Sequence, residues 1–316
     1  MNRQFNLPAA LAIAVCSILF NAANISAATH PDSSKLQKVL DAAVELTIKK
    51  FENDGLKTEE LTVTVIDIAD RSQPVSASYR GEEQVYAASV VKMFYMSFYY
   101  RLVEDGKLKP TPEIERGLRD MIVDSGNEAT GFILDVLTDT TSGPELPARK
   151  FEKWKKKRNR VNRYFTALGY RNINISQKTH CEDAYGVERQ FRNYSGDNRN
   201  MLTTNAASRL LKEIVLGESI NKARSGQMMA LMARDWEKPV KDPFLQEFIS
   251  HALMPGTKLW SKEGYTSKTR HDAAYIETPD GLKLIITVFT ENHSTVQDII
   301  PNVAREIIRG LGGKAR

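Results

Sequence analysis

The chain has 316 residues, of which 41% are hydrophobic and 26% charged, with a net charge of +5. That is enough to bury a sizeable core in one large domain or two closely packed lobes. The mild basic excess does not mark a nucleic-acid-binding protein, and five histidines without i,i+4 pairing or accompanying Cys pairs argue against a zinc hydrolase, so no metal or organic cofactor is implied.

Arg3, the apolar run from Leu7 to Phe20 and the small residues Ser26, Ala27 and Ala28 read as a signal peptide over residues 1–27. The run is short for a spanning helix, which needs about 20 residues. The remainder, residues 28–316, is then expected to be periplasmic or secreted and monomeric, with no stable membrane insertion. Of the two cysteines, Cys16 would leave with the signal, so Cys181 has no partner for an intramolecular disulfide.

Leu36, Val39, Leu40, Ala43, Val44 and Phe51 mark one face of a first helix. ELTVTVIDIAD (60–70) and VSASYR after the Arg71–Pro74 turn are strands. From Ala87 the pattern is helical, over 87–107 and 113–138. RKFEKWKKKRNRVNR (149–163) is dense in Lys and Arg and reads as a solvated helix face, with Trp154 the one hint of another role. Residues 177–202 read as a long polar, irregular segment, a type that is often functional. Leu202–Leu216 and Gln227–Ala233 are helical. KLWSKEG, DAAYIET, a Pro279-Asp280-Gly281 turn and LKLIITVFT then form strands, and a last helix runs over 295–311. This order implies an α+β fold: an antiparallel sheet flanked by helices (about 33–80 and 255–316) with an all-helical lobe (about 85–250) and a site between them.

Three short motifs carry the chemistry. In Ala87-Ala88-Ser89-Val90-Val91-Lys92, a serine and a lysine lie one helical turn apart, so the amine can activate the hydroxyl. The same pattern recurs at Ser219-Ile220-Asn221-Lys222, in a polar stretch that reads as ordinary surface. Ser125-Gly126-Asn127 offers a hydroxyl to relay a proton and an amide to hold a carbonyl, although a helix cap uses the same residues. Lys262-Glu263-Gly264 ends a strand. Its lysine could pair with a carboxylate, its glycine admits a ligand to the backbone, and the Tyr265 N–H could join that of Ser89 at an oxyanion.

In this order, SVVK, SGN and KEG resemble the S-x-x-K, S-D-N and K-T-G marks of the serine β-lactamase and penicillin-binding superfamily, over residues 35–312. The resemblance implies a β-lactamase/transpeptidase-like fold and an acylated Ser89, with Lys92 as base or relay. It implies Ser125 as proton shuttle, Asn127 and Lys262 as contacts to substrate amide and carboxylate, and the Ser89 and Tyr265 N–H groups as oxyanion hole beside Gly264. Glu188 is the expected deacylating carboxylate, with Glu182 and Asp183 as alternatives. Gly126 and Glu263 depart from the family pattern; strand alternation predicts that Glu263 faces away from Lys262. The expected activity is class A β-lactamase-like hydrolysis of a β-lactam or related amide. The alternatives are a D-alanyl-D-alanine peptidase acting on peptidoglycan stems and a non-catalytic envelope-binding protein.

Overall fold

The computed structural model describes residues 31–180, 183–238 and 248–316; the expected signal peptide, Cys181 and Glu182 lie outside these residues. In chain order the elements are α1 (Pro31–Lys50), β1 (Leu61–Asp67), β2 (Val75–Tyr79), β3 (Val85–Tyr86), α2 (Lys92–Glu104), α3 (Pro112–Ile122), α4 (Asn127–Thr138), α5 (Ala148–Arg158), α6 (Arg160–Ala167), α7 (Gly186–Asn193), β4 (Met201–Leu202), α8 (Thr204–Leu216), α9 (Lys222–Met232), β5 (Ala233–Arg234), β6 (Lys258–Tyr265), β7 (Thr269–Glu277), β8 (Lys283–Glu291) and α10 (Ile299–Gly310). Among the described residues, no helix is long and apolar enough to cross a membrane.

One antiparallel sheet in the order β2-β1-β8-β7-β6-β5 joins the early pair of strands to the late ones. In β8 the side chains of Leu284, Ile286 and Val288 enter a core with α1 and α10, while Ile285 and Phe289 enter the core of the helical lobe. A strand buried on both faces reads as a continuous apolar run, which is what KLIITVFTE presents. The Pro279-Asp280-Gly281 turn is the expected hairpin; Gly281 has φ +97°, a conformation that costs glycine little.

The helical lobe is organised around α2, which is buried almost all round through Met93, Phe94, Tyr95, Met96, Phe98 and Leu102. An apolar helix of this kind belongs inside a core rather than on a surface. The helical pattern over 113–138 is two helices, with Ser125 and Gly126 in the short turn between them. Ser125, at φ +54°, breaks the run between α3 and α4, and α4 starts at Asn127.

Two expectations are corrected. The basic segment is not a fully solvated face: Phe151, Trp154 and Arg158 line a buried stripe of α5. The irregular segment contains α7, whose Val187 and Phe191 pack on that stripe. The two corrections share one cause. The apolar residues of each segment are sparse and are buried only against the other, so neither short helix is legible alone. Phe191→Ala empties the centre of this cluster and is expected to cost about 3–5 kcal/mol in urea unfolding.

Candidate active site

Ser89 lies in a 3-10 turn, Ala88–Val91, that runs into α2 at Lys92. Residues three apart eclipse in such a turn, which brings Ser89 and Lys92 to one face. Ala88 holds φ +44°, a strain of about 1–3 kcal/mol that surrounding structure must impose. It is imposed from two sides. The Ala87 N–H donates to the Asn200 carbonyl at 3.0 Å. On the other side, His271 Nε2 lies 2.8 Å from the Tyr86 carbonyl, and its Nδ1 lies 2.7 Å from the Arg270 carbonyl and 3.2 Å from the Thr290 N. Burial pulls the His271 pKa down to about 4, so the ring is neutral near neutral pH.

Ser125 connects two buried lysines. Lys92 Nζ donates to the Ser125 carbonyl at 2.5 Å, to Ser125 Oγ at 3.3 Å and to Asn127 Oδ1 at 3.0 Å. Lys262 Nζ, from β6, donates to the same Ser125 Oγ at 2.9 Å. Both lysines have no exposed surface. The left-handed residue Ser125 presents its carbonyl to Lys92 and its hydroxyl to both Lys92 and Lys262. At the start of α4, the Gly126 N-cap makes no side-chain cap bond, and Asn127 Oδ1 serves Lys92 instead.

Gly264 seats β6 against the Ser89 turn. A Cβ on Gly264 would stand 2.8 Å from Ser89 N and 3.0 Å from Val90 N, backbone atoms that cannot swing aside. Only glycine permits this approach, which brings the backbone of Tyr265, the next residue, toward that of Ser89. The Tyr265 ring is partly exposed and lies 6.4 Å from the Phe248 ring.

Glu263 does not face away from Lys262. Its Oε1 accepts from Lys262 Nζ at 2.6 Å, and its Oε2 lies 3.5 Å from Arg234 of β5. The long lysine side chain bends back along its own strand, which overrides simple alternation. Burial opposes ionisation of Glu263, but Lys262 and Arg234 outweigh it and hold the pKa at about 2. Burial also pulls Lys262 below the usual lysine range, against the pull of Glu263. Directly across the ladder from Glu263, Asp272 is buried and accepts from the Ile249 N–H at 3.1 Å. Burial raises its pKa to about 7, with the Glu263 charge acting in the same direction.

Glu188, on α7, is tied to other residues. Its Oε1 accepts from Arg158 at 2.7 Å and Ser142 Oγ at 3.0 Å, and lies 3.4 Å from Lys178 Nζ. Arg158 and Lys178 also hold Asp135, and the Arg158 guanidinium lies 4.4 Å from the centre of the Trp154 ring. The buried arginine of the basic segment thus pins the loop carboxylate. Of the two alternatives, Asp183 is exposed and pairs with Arg192; Glu182 lies outside the described residues. The second Ser-x-x-Lys copy is structural: Ser219 is buried beside Ser97, and Asn221 caps α9.

Sequence reasoning passed over His271, Asn200, Arg234 and Arg158. Only His271 carried a signal, as a lone imidazole in an apolar strand; the others act through contacts distant in sequence.

A sequence profile of the β-lactamase enzyme family matches residues 111–312. Among solved structures, a β-lactamase from Sphaerobacter thermophilus superposes with a TM-score of 0.61 at 19% identity, covering 87% of this chain and 97% of that one. The class A β-lactamase from Mycobacterium abscessus gives 0.60 at 16% identity, covering 86% and 100%. PBP-A gives 0.60 at 15% identity, covering 88% and 97%. No curated protein sequence matches the chain. The fold is that of the serine β-lactamase and penicillin-binding superfamily. The chain belongs to the β-lactamase enzyme family.

Gly264→Ala pushes β6 off the Ser89 turn and is expected to slow covalent labelling of Ser89 at least about 100-fold with an unchanged circular dichroism spectrum. Asp272 gives a pH signature. Its folded pKa is raised from 3.8 to about 7, so its contribution to stability is full below about 3.8 and is lost as pH rises through about 7. Asp272→Asn removes that loss and is expected to gain stability relative to the parent between pH 4 and 7, by up to about 4 kcal/mol, in urea titrations at each pH.

Proposed function

We propose that the protein is an exported, class A β-lactamase-like hydrolase whose Ser89 is acylated by a β-lactam or related amide and then freed by water. The observation that carries this reading is Ser125 Oγ standing between Lys92 Nζ and Lys262 Nζ, at 3.3 and 2.9 Å. The two amino groups flank that hydroxyl and place it for proton transfer. Ser89 Oγ attacks the amide carbon while its proton passes to Lys92, which enters this step as the neutral amine and so with one of its three hydrogen bonds released. The N–H groups of Ser89 and Tyr265 receive the oxyanion. As the C–N bond breaks, the proton returns through Ser125 to the leaving nitrogen, and Ser89 retains the acyl group. Asn127 holds the substrate amide. The signal-like leader supports action in the periplasm or outside the cell.

Release of the acyl group is slow in this reading, because Glu188 is engaged by Arg158 and Lys178. That favours a second reading, a penicillin-binding protein acting on peptidoglycan stems. A mutant of the similar PBP-A has been seen as an acyl-enzyme complex with penicillin G.

A fluorescent penicillin tests both readings. The parent is expected to label at one site per chain, and Ser89→Ala to lose labelling by at least about 1,000-fold; undiminished labelling of Ser89→Ala would remove the assignment. Glu188→Gln is expected to cost about 3 kcal/mol in unfolding, since Arg158 loses a buried charge partner. The acyl lifetime should stay within about twofold of the parent, at a precision of about 0.4 kcal/mol. A trapped acyl-enzyme in that variant would make Glu188 the deacylating base after all.

A further inference from the structure

The geometry points to a site that selects against a carboxylate beside the scissile amide: we propose that Glu263 occupies the anion-recognising lysine, so that the preferred substrates are neutral at that position. The inference rests on the reading of Ser89 as the acylated residue, and it specifies the substrate class of the same site.

An ammonium has three N–H donors. Those of Lys262 have three acceptors within the protein: Ser125 Oγ at 2.9 Å, the Glu263 carbonyl at 3.1 Å and Glu263 Oε1 at 2.6 Å. A substrate carboxylate would have to displace one of them. Displacing Ser125 Oγ would remove the proton relay. Displacing Glu263 Oε1 would leave that carboxylate beside the incoming anion, in a buried setting where like charges repel strongly.

The second nearby cation is turned to the same carboxylate. One terminal nitrogen of Arg234, Nη2, donates to the carbonyls of Ile122 at 3.2 Å and Ser261 at 2.9 Å, and the same nitrogen lies 3.5 Å from Glu263 Oε2. The arginine therefore braces the carboxylate in its place against Lys262. An ester, a primary amide or an unsubstituted carbon at this position makes no such demand on Lys262. The substrate class is accordingly an amide or lactam whose neighbouring acid is absent or capped. Threonine in place of Glu263 would remove the anion, free one Lys262 donor and add a hydroxyl donor of its own.

The test compares a penicillin with its methyl ester, on the parent chain and on Glu263→Thr, with Glu263→Gln as a second variant should the first unfold on thermal melting. The rate of Ser89 labelling is expected to be at least as high for the ester as for the acid on the parent. In the variant the acid should gain about 10- to 100-fold, while the ester changes less than about threefold. A parent that prefers the acid, or an acid-to-ester ratio that neither variant moves, overturns the inference. Calorimetric binding of both compounds to Ser89→Ala and to the Ser89→Ala/Glu263→Thr double variant separates this from the underlying reading. If Ser89 is never labelled, acylation fails as the function, yet the acid-to-ester affinity ratio still decides the role of Glu263: a rise in the double variant supports it, and an unchanged ratio or no binding by either protein overturns it.

Discussion

Two lysine ammonium groups, Lys92 and Lys262, are wholly buried within reach of one serine hydroxyl, and the site is built around satisfying them. A buried ammonium is costly unless hydrogen-bond acceptors replace its water. Ser125 provides two acceptors for Lys92 because its backbone is left-handed, and Asn127 provides a third. Lys262 takes the Ser125 hydroxyl and two oxygens of Glu263, its carbonyl and Oε1. The strained turn before Ser89, the break between α3 and α4, and the bare backbone of Gly264 all serve the same convergence. Each would be a local cost without the packing of the sheet against the helical lobe.

The same logic recurs a short distance away, around Arg158. This guanidinium is buried beneath Trp154 and is neutralised by Asp135 and Glu188, from α4 and α7. It joins α5, which carries it, to α4 and α7. The family pattern makes Glu188 the expected activator of water; here the carboxylate has structural work in an ion-pair network. In the proposed reaction the two halves draw on separate groups: acylation on the Ser89, Lys92 and Ser125 array, and release on a carboxylate that activates water.

Much of the fold was legible in the chain. The β-branched runs, the Pro-Asp-Gly turn and the early strand pair implied the antiparallel sheet and its closure by late strands, because alternation and turn chemistry are local properties. The helices α5 and α7 were misread because their buried stripes are short and depend on one another. The serine-glycine-asparagine segment was legible as a short turn between helices, but the left-handed backbone of its serine has no compositional mark.

The sequence by itself determined the residue types of the site and the order of its three motifs, since a nucleophile with a lysine one turn away is a matter of spacing. Tertiary structure decided which groups meet. It brought Ser125 between two lysines far apart in the chain, folded Glu263 back onto Lys262 against strand alternation, and gave Glu188 to Arg158. The physical reason is that a buried charge takes whichever partner the packing brings within hydrogen-bond distance, and that partner is set by long-range contacts that no local pattern encodes.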